Sequence, residues 1–558
     1  MKITKISLFL VLALGATAVF AQQSFDFSQH AVIERLQKDI YTLASDSMEG
    51  REAGTIGERR AAAYIKAHMQ EIGLKPMFNG SYLQEVSFPG EFIAGDDNFL
   101  VIAERQYKFE EDFFVLPNTG NATVSAPSVY AAYGLEGVEG SDNYSGLGNV
   151  SGKVVLLEYY SPEGFEEKLG TNPREALASK IELAIKKGAA GIILGNSMAW
   201  RTDPRISLRM NVPREEIPIV YVTTKVFETL KSQPGIEVFL STQMEREIHT
   251  GLNVAGYWDN GAETTVVIGG HYDHLGFGGS GSRSPGEKVI HPGADDNASG
   301  TAGVLEAARF LVNSDLKKHN YIFIAFTAEE KGLIGSRFFA DSDAYDMGRV
   351  NYMLNFDMLG RLSDHSLALI GTGTTPSWDA VIERAAPAHF NIWKSPGGLG
   401  GSDHTTFYMK NIPVLFFFAG IHDDYHRPGD TPDKINYLGI YEILRFSYDL
   451  MRVVENENRL AFTPIQSTDS PPRRDGVTLG IMPDHAYDAI GLKIQAVIDG
   501  RPAHKAGIKN GDVIIRIDQE EIREIQTYMR ALSNLQAGRT AQITVKRGEQ
   551  ELTFEVQL

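Results

Sequence analysis

Between residues 250 and 455, four apolar runs each end in side chains able to hold a metal ion, and this recurrence constrains the fold more than any other feature. Val266-Val267-Ile268 leads into His271-Tyr272-Asp273, and Tyr321 to Phe326 leads into Glu329-Glu330. Tyr352 to Phe356 stops at Asp357, and Ile412 to Phe418 opens into a loop carrying His422, Asp424 and His426. Helix-like stretches alternate with these runs, the pattern of an α/β domain with a mixed, mostly parallel sheet flanked by helices. Ligands of such sheets bind beyond the carboxyl ends of the strands, so the four endings are expected to converge on one crevice. A single His-x-Asp is ordinarily a surface pair, and an acidic pair at a helix start ordinarily complements the dipole. Several such groups at consecutive strand ends are different, because burying them together without a cation would cost several kcal/mol per group. Mixed imidazole and carboxylate donors suit Zn²⁺, ahead of Mn²⁺ or Co²⁺. Asp295-Asp296-Asn297 adds a fifth acidic group before a helix with the apolar stripe Val304, Ala308, Leu311 and Val312. Ser299 or Asn297 is placed to cap that helix.

The chain has 558 residues, room for three or four domains at about 100–200 residues each. Its 53 basic against 71 acidic residues leave a net charge of −18, a field that repels phosphate backbones and argues against nucleic-acid partners. Cysteine is absent, which excludes disulfides, thiolate metal sites and cysteine nucleophiles. Lys2 and Lys5, the apolar stretch Leu8 to Leu14 and the small-residue exit ending at Ala21 read as a signal peptide over 1–21. An exported protein of a bacterial envelope, periplasmic or secreted, is therefore expected, with no membrane span after cleavage. Helical periodicity runs from Ile33 to Ile72, broken by a loop at Asp46 to Arg51. Buried strands are expected at Lys153 to Leu157 and Ala190 to Leu194, with a helix from Ala176 to Lys187 between them. Proline and charge over 459–475 mark a linker before a compact module at 476–558.

Several motifs carry a family resemblance. They are Gly269-Gly270-His271-Tyr272-Asp273-His274, Gly293-Ala294-Asp295-Asp296-Asn297-Ala298-Ser299-Gly300 and Thr327-Ala328-Glu329-Glu330-Lys331-Gly332. Asn355-Phe356-Asp357, Gly401-Ser402-Asp403-His404 and Asp424-Tyr425-His426-Arg427 follow in order, and Leu43 to Arg51 adds an upstream segment. Together they resemble the di-zinc aminopeptidases of metallopeptidase family 28, over 25–112 and 246–458. The resemblance implies two Zn²⁺ per chain, with Asp296 bridging, His271 and Asp357 completing one site, and Glu330 and His426 the other. Asp273 would hold the far ring nitrogen of His271, and Glu329 would be the general base. Two cations would lower the pKa of a bridging water toward about 7, with Glu329 taking its proton. Tyr425 is a candidate hydroxyl donor to the oxyanion, or else a packing residue of the rim. His274, His291, His404 and His422 are expected around the site rather than as ligands. Asp403 and His404 are candidates for ordering the substrate loop. Gly276 to Gly286 is either a lid or an exposed connection.

Residues 113–245 resemble a protease-associated domain, on Ser151 to Leu156, Lys187 to Ile193 and Ile217 to Val220. Such an insertion would wall the cleft or serve as a spacer. Residues 476–558 resemble a PDZ domain, with Leu479-Gly480-Ile481-Met482 as carboxylate-binding loop and Ala503 to Ile514 following. A C-terminal peptide added to its sheet edge would be the expected ligand. The implied activity is removal of N-terminal residues from peptides. A carboxypeptidase, dipeptidase or glutaminyl cyclase on the same fold is the alternative, and an inactive receptor or scaffold is a third reading.

Overall fold

The computed structural model describes residues 26–558, apart from 138–141, 163–172, 199–200, 205, 207–213, 280, 285, 287, 466–477, 485–486, 488, 499, 524–526, 529–530, 533–534 and 537. The expected leader and most of the expected linker lie outside the described residues. Among the described residues the chain forms three sheets, of nine, eight and six strands.

The nine-stranded sheet is built on four apolar runs. Thr264–His271 lies parallel to His319–Phe326 on one side and to Val350–Phe356 on the other, and Val350–Phe356 lies parallel to Val414–Phe418. His319–Phe326, Val350–Phe356 and nearly all of Thr264–His271 are buried throughout, which explains their continuous rather than alternating hydrophobicity. Antiparallel neighbours finish the sheet. Met244–Trp258 pairs with His319–Phe326, and Ser366–Ile370 pairs with Val414–Phe418 while lying parallel to Asn391–Ser395. The sheet is therefore mixed and mostly parallel, with the carboxyl ends of its four central strands on one edge.

Two N-terminal helices, Gln29–Leu43 and Ile56–Ile72, flank the break at Asp46–Arg51, where Glu49, Gly50 and Arg51 all adopt positive φ. Gly73 ends the second helix in the left-handed conformation that glycine adopts without strain. Helix Gly300–Val312 differs from its amphipathic reading, because every residue in it is buried. It packs on the sheet, both N-terminal helices and helix Tyr437–Val454, so no face is left for water. Its two charges are neutralised inside: Arg309 Nη1 reaches Glu306 at 2.9 Å and Asp39 at 3.1 Å, and Arg35 Nε donates to Glu306 at 3.0 Å.

The eight-stranded sheet contains Val154–Glu158, Gly191–Gly195 and Ile219–Val222 as parallel neighbours, with helix Pro173–Lys186 between the first two in sequence. It begins earlier in the chain than residue 113. Phe99–Ile102, which the motif spacing assigns to the 25–112 segment, pairs with Glu237–Thr242, and Arg105–Tyr107 pairs with Phe99–Ile102. No change of composition marks that entry, since the partner strand lies well over a hundred residues downstream. The six-stranded sheet runs from Ile481–Pro483 at one end to Gln550–Gln557 at the other. No helix of the described residues is long and apolar enough to cross a membrane.

Close approach to the end of strand Val350–Phe356 demands glycine at two positions. A Cβ on Gly270 would stand 2.3 Å from the Phe356 carbonyl oxygen, and one on Gly300 would stand 2.2 Å from the same atom. Gly270→Ala is expected to lower unfolding free energy by about 1–3 kcal/mol in denaturant melts. Gly401→Ala, whose Cβ meets nothing within 4 Å, should melt as the parent does.

Candidate metal centre

The strand ends do converge. His271 closes its strand with Nε2 at 3.4 Å from Asp296 Oδ1 and 3.3 Å from Asp357 Oδ1. His426 Nε2 lies 3.1 Å from the other oxygen of Asp296, and His274 Nδ1 lies 3.8 Å from that same atom. Asp296 thus turns one carboxylate oxygen toward His271 and the second toward His426. Ligand atoms of His271, Glu329 and Asp357 lie within 4.8 Å of one another, as do those of His274, Asp296 and Glu330. Every residue expected as a ligand is therefore in or beside one of two adjoining groups. His274, expected around the site rather than as a ligand, is fully buried and falls within the second group.

Hydrogen bonds fix which ring nitrogens face the carboxylates. His271 Nδ1 donates to the Asp273 carbonyl oxygen at 3.1 Å, while the Asp273 carboxylate is farther off, at 3.8 Å. The tautomer is thus held by the backbone of Asp273 more closely than by its side chain. His426 Nδ1 likewise donates to the Gly281 carbonyl at 2.9 Å. Carbonyl oxygens only accept, so each Nδ1 carries a proton and Nε2 is the ring nitrogen turned toward Asp296. A lone pair facing a carboxylate at this range requires a proton or a metal ion between them. Ligand bonds of about 2.0–2.2 Å place neighbouring donor atoms about 3.3 Å apart, so the donor set fits a bound cation. Burial opposes ionisation of Asp296, but hydrogen bonds from His271 and His426 outweigh it and hold its carboxyl well below the usual carboxylate range.

Asn297 organises the backbone between the strand ends. Its Nδ2 donates to the carbonyls of His271 at 3.1 Å and Phe356 at 3.0 Å, and its Oδ1 accepts from Gly300 N at 2.9 Å and Met358 N at 3.2 Å. Asn297, not Ser299, therefore caps the following helix. Ser299 Oγ instead donates to the Asp295 carbonyl at 2.8 Å and accepts from Leu359 N at 2.9 Å. The Asp296–Asn297 peptide is cis. Ala328, Met358 and His426 all lie near φ +55, turning the chain sharply as it leaves the sheet. Such non-glycine positions cost about 1–3 kcal/mol each and persist only where their surroundings hold them.

Three supporting residues escape a reading based on ligand spacing. Arg51 is buried and donates to the carbonyls of Tyr272, Leu43, Pro292 and Gly293 at 2.6–2.8 Å, tying the Asp46–Arg51 break to both metal-bearing segments. Glu58 accepts from Gly54 N, Leu252 N, the Tyr272 hydroxyl and Thr327 Oγ1, and burial raises its pKa. Asp430 Oδ2 accepts from the backbone N–H of Asp295 and of Asp296, fixing the turn that carries the bridging candidate. Burial, followed by the neighbouring Asp295, raises the Asp430 pKa. The buried polar cluster in Arg51's surroundings was signalled only by the upstream motif, and Asp430 by nothing but an acidic residue near His426.

Tyr425 is half-buried and stacks on His426 at 3.9 Å between ring centroids, with Arg283 over its ring at 4.8 Å. The described residues of the 276–286 loop pack against His426, through Gly281 and through Arg283 N, which donates to the His426 carbonyl at 3.0 Å. His422 Nε2 lies 3.3 Å from Asp295, and His291 Nε2 lies 2.8 Å from Ser282 Oγ.

The imidazole–carboxylate centre thus lies at the carboxyl edge of a mixed, mostly parallel sheet. Residues 253–451 match Peptidase family M28, and residues 464–558 match the PDZ domain family. An aminopeptidase of Pseudomonas aeruginosa is 28% identical over 407 residues, covering 70% of this chain and 68% of that protein. Leucine aminopeptidase 2 of Arthroderma otae is 31% identical over 249 residues, covering 39% of this chain and 47% of the relative. A zinc aminopeptidase structure from Bacillus subtilis aligns at 21% identity over 79% of this chain and 97% of that one, with a TM-score of 0.43.

His404 is fully buried against Phe416, 4.7 Å between ring centroids, and burial pushes its pKa down to about 3. Unfolding restores a value near 6.5, so the stability it allows is complete above that pH and is lost as pH falls toward 3. Each pH unit within this window should cost about 1.4 kcal/mol. His404→Leu is expected to flatten the acid limb of a pH series of urea melts below pH about 6.5.

Proposed function

We propose that the protein is a zinc-dependent aminopeptidase holding two Zn²⁺, which removes N-terminal residues from peptides. One observation carries the reading: the Asp296 carboxylate lies between His271 and His426, one oxygen toward each, where two ligand groups adjoin. His271 and Asp357 are assigned to one ion, Glu330 and His426 to the other, with Asp296 bridging. The aminopeptidase names of the relatives in P. aeruginosa and A. otae support the choice of N-terminal cleavage.

When bound, the ions would supply Lewis acidity toward the scissile carbonyl and acidify attacking water. The protein's own part is to position and to move protons. Glu329, grouped with His271 and Asp357, is assigned as the base that takes a proton from water and returns it to the leaving amine. Asp273 fixes the His271 tautomer, and Tyr425 is assigned as a hydroxyl donor to the developing oxyanion. Residues 113–245, with strands Phe99–Ile102 and Arg105–Tyr107 that join their sheet, are read as a protease-associated insertion. In the PDZ domain, Ile481–Pro483 lies at a sheet edge after Gly480, whose φ of 72 suits a tight carboxylate-binding turn. Addition of a peptide's C-terminal strand there is the proposed second binding event. Export to the bacterial envelope, periplasmic or secreted, is the proposed setting.

Glu329→Gln should retain both metals by elemental analysis yet lower turnover of an aminoacyl chromophore about 10²–10⁴-fold. Near-parental turnover would refute the base assignment. His271→Ala and Asp296→Asn should instead lose metal, and chelation should abolish hydrolysis until zinc is restored. Cleavage of N-blocked but not free-amine peptides would favour the carboxypeptidase alternative.

A further inference from the structure

A second imidazole–carboxylate group lies on the same edge of the nine-stranded sheet, two and three strands beyond the one that leads into Asp357. At about 4.8 Å per strand this is some 10–15 Å along the sheet. His365 immediately precedes Ser366–Ile370, and His389 lies two residues before Asn391–Ser395. These strands are parallel and in register, with Ser366 opposite Asn391, so both histidines arrive at the same corner. Asn391 N donates to the His365 carbonyl at 2.9 Å, and Asn391 Nδ2 donates to the Asp364 carbonyl at 3.0 Å, pinning the corner.

The third member comes from helix Tyr437–Val454. Phe390 packs edge-on to Phe446 of that helix at 6.0 Å between ring centroids. Glu442 is four residues before Phe446 and shares its face, so the aromatic contact delivers the carboxylate to the histidines. The two rings meet edge to face at 4.7 Å, and each turns a nitrogen toward a different Glu442 oxygen. His365 Nδ1 is 3.3 Å from Oε2, and His389 Nε2 is 3.8 Å from Oε1. One ligand atom from each residue falls within 4.8 Å of the other two. A tetrahedral ion with bonds of about 2.0–2.2 Å needs donor atoms about 3.3 Å apart, which His365 meets at 3.3 Å and His389 approaches at 3.8 Å from Glu442. All three side chains are partly exposed, which leaves the fourth position open to water.

The geometry points to a peripheral site for a divalent transition-metal ion, zinc foremost, held by His365, His389 and Glu442. Two imidazoles and one carboxylate are the donor set such ions prefer, whereas Ca²⁺ and Mg²⁺ seek oxygen. The bound ion would fasten the last strand pair of the sheet to helix Tyr437–Val454. Its existence does not depend on the aminopeptidase reading.

The test compares zinc bound per chain, by equilibrium dialysis at micromolar free zinc, in the full-length protein and in His389→Gln, His365→Ala and Glu442→Gln. Each variant should carry one zinc fewer than the parent, and zinc should raise the parent's Tm by at least about 2 °C more than the variants'. Circular dichroism shows that each variant is folded before comparison. Equal zinc content in the parent and the folded variants would overturn the proposal. A cobalt-substituted parent should also show tetrahedral absorption absent from His389→Gln, and identical spectra would count against the site equally.

Discussion

Negative charge gathered at the ends of parallel strands is the constraint on which the rest of this structure depends. Asp273, Asp295, Asp296, Asp357 and Asp430 are all buried around one edge of the sheet. Repulsion among them must be offset by donors or cations, because water is excluded. Part of the compensation is supplied by backbone N–H groups, as at Asp430, and by Arg361, which reaches Asp430 at 3.3 Å and Asp424 at 3.2 Å. The remainder falls on Asp296, where ring nitrogens already turned by their carbonyl partners leave a place for positive charge. An electrostatic problem created by topology thus becomes a metal-binding geometry.

Precision at that edge comes from neutral and cationic groups that touch no expected ligand oxygen. Asn297 joins the ends of two strands to the start of the buried helix through four hydrogen bonds. Arg51 gathers four carbonyls from three chain segments. Each satisfies backbone groups that would otherwise be buried unpaired, at about 1–3 kcal/mol apiece. Left-handed turns at Ala328, Met358 and His426 are tolerated because these bonds hold the surrounding chain in place. Rigidity of the scaffold and placement of the ligands are one property here.

Much of the site was legible in the sequence because the ligand candidates sit at the ends of continuous apolar runs, and parallel strands put such ends on one edge. His271, Glu329, Glu330, Asp357 and His426 follow such runs, Asp296 precedes a helix and was singled out by the family resemblance, and the structure draws all six together. His274 was harder to place, since adjacency to a ligand does not tell whether a side chain points inward. Asp430 and Glu58 bind mainly backbone N–H groups and hydroxyls, and such partners leave no motif. The entry into the eight-stranded sheet near Phe99 was hidden for a similar reason: a strand's pairing partner is not encoded by its own composition.

Sequence alone determined the hydrophobic period, the order of strands and helices, and the chemical identity of the donors at the strand ends. These are local properties, written residue by residue. Tertiary structure alone decided which carboxylate lies between two imidazoles, which carbonyl holds each ring, and that His365, His389 and Glu442 share a corner. Those outcomes depend on register and packing between segments far apart in the chain, where a displacement of one residue would turn a side chain to the opposite face.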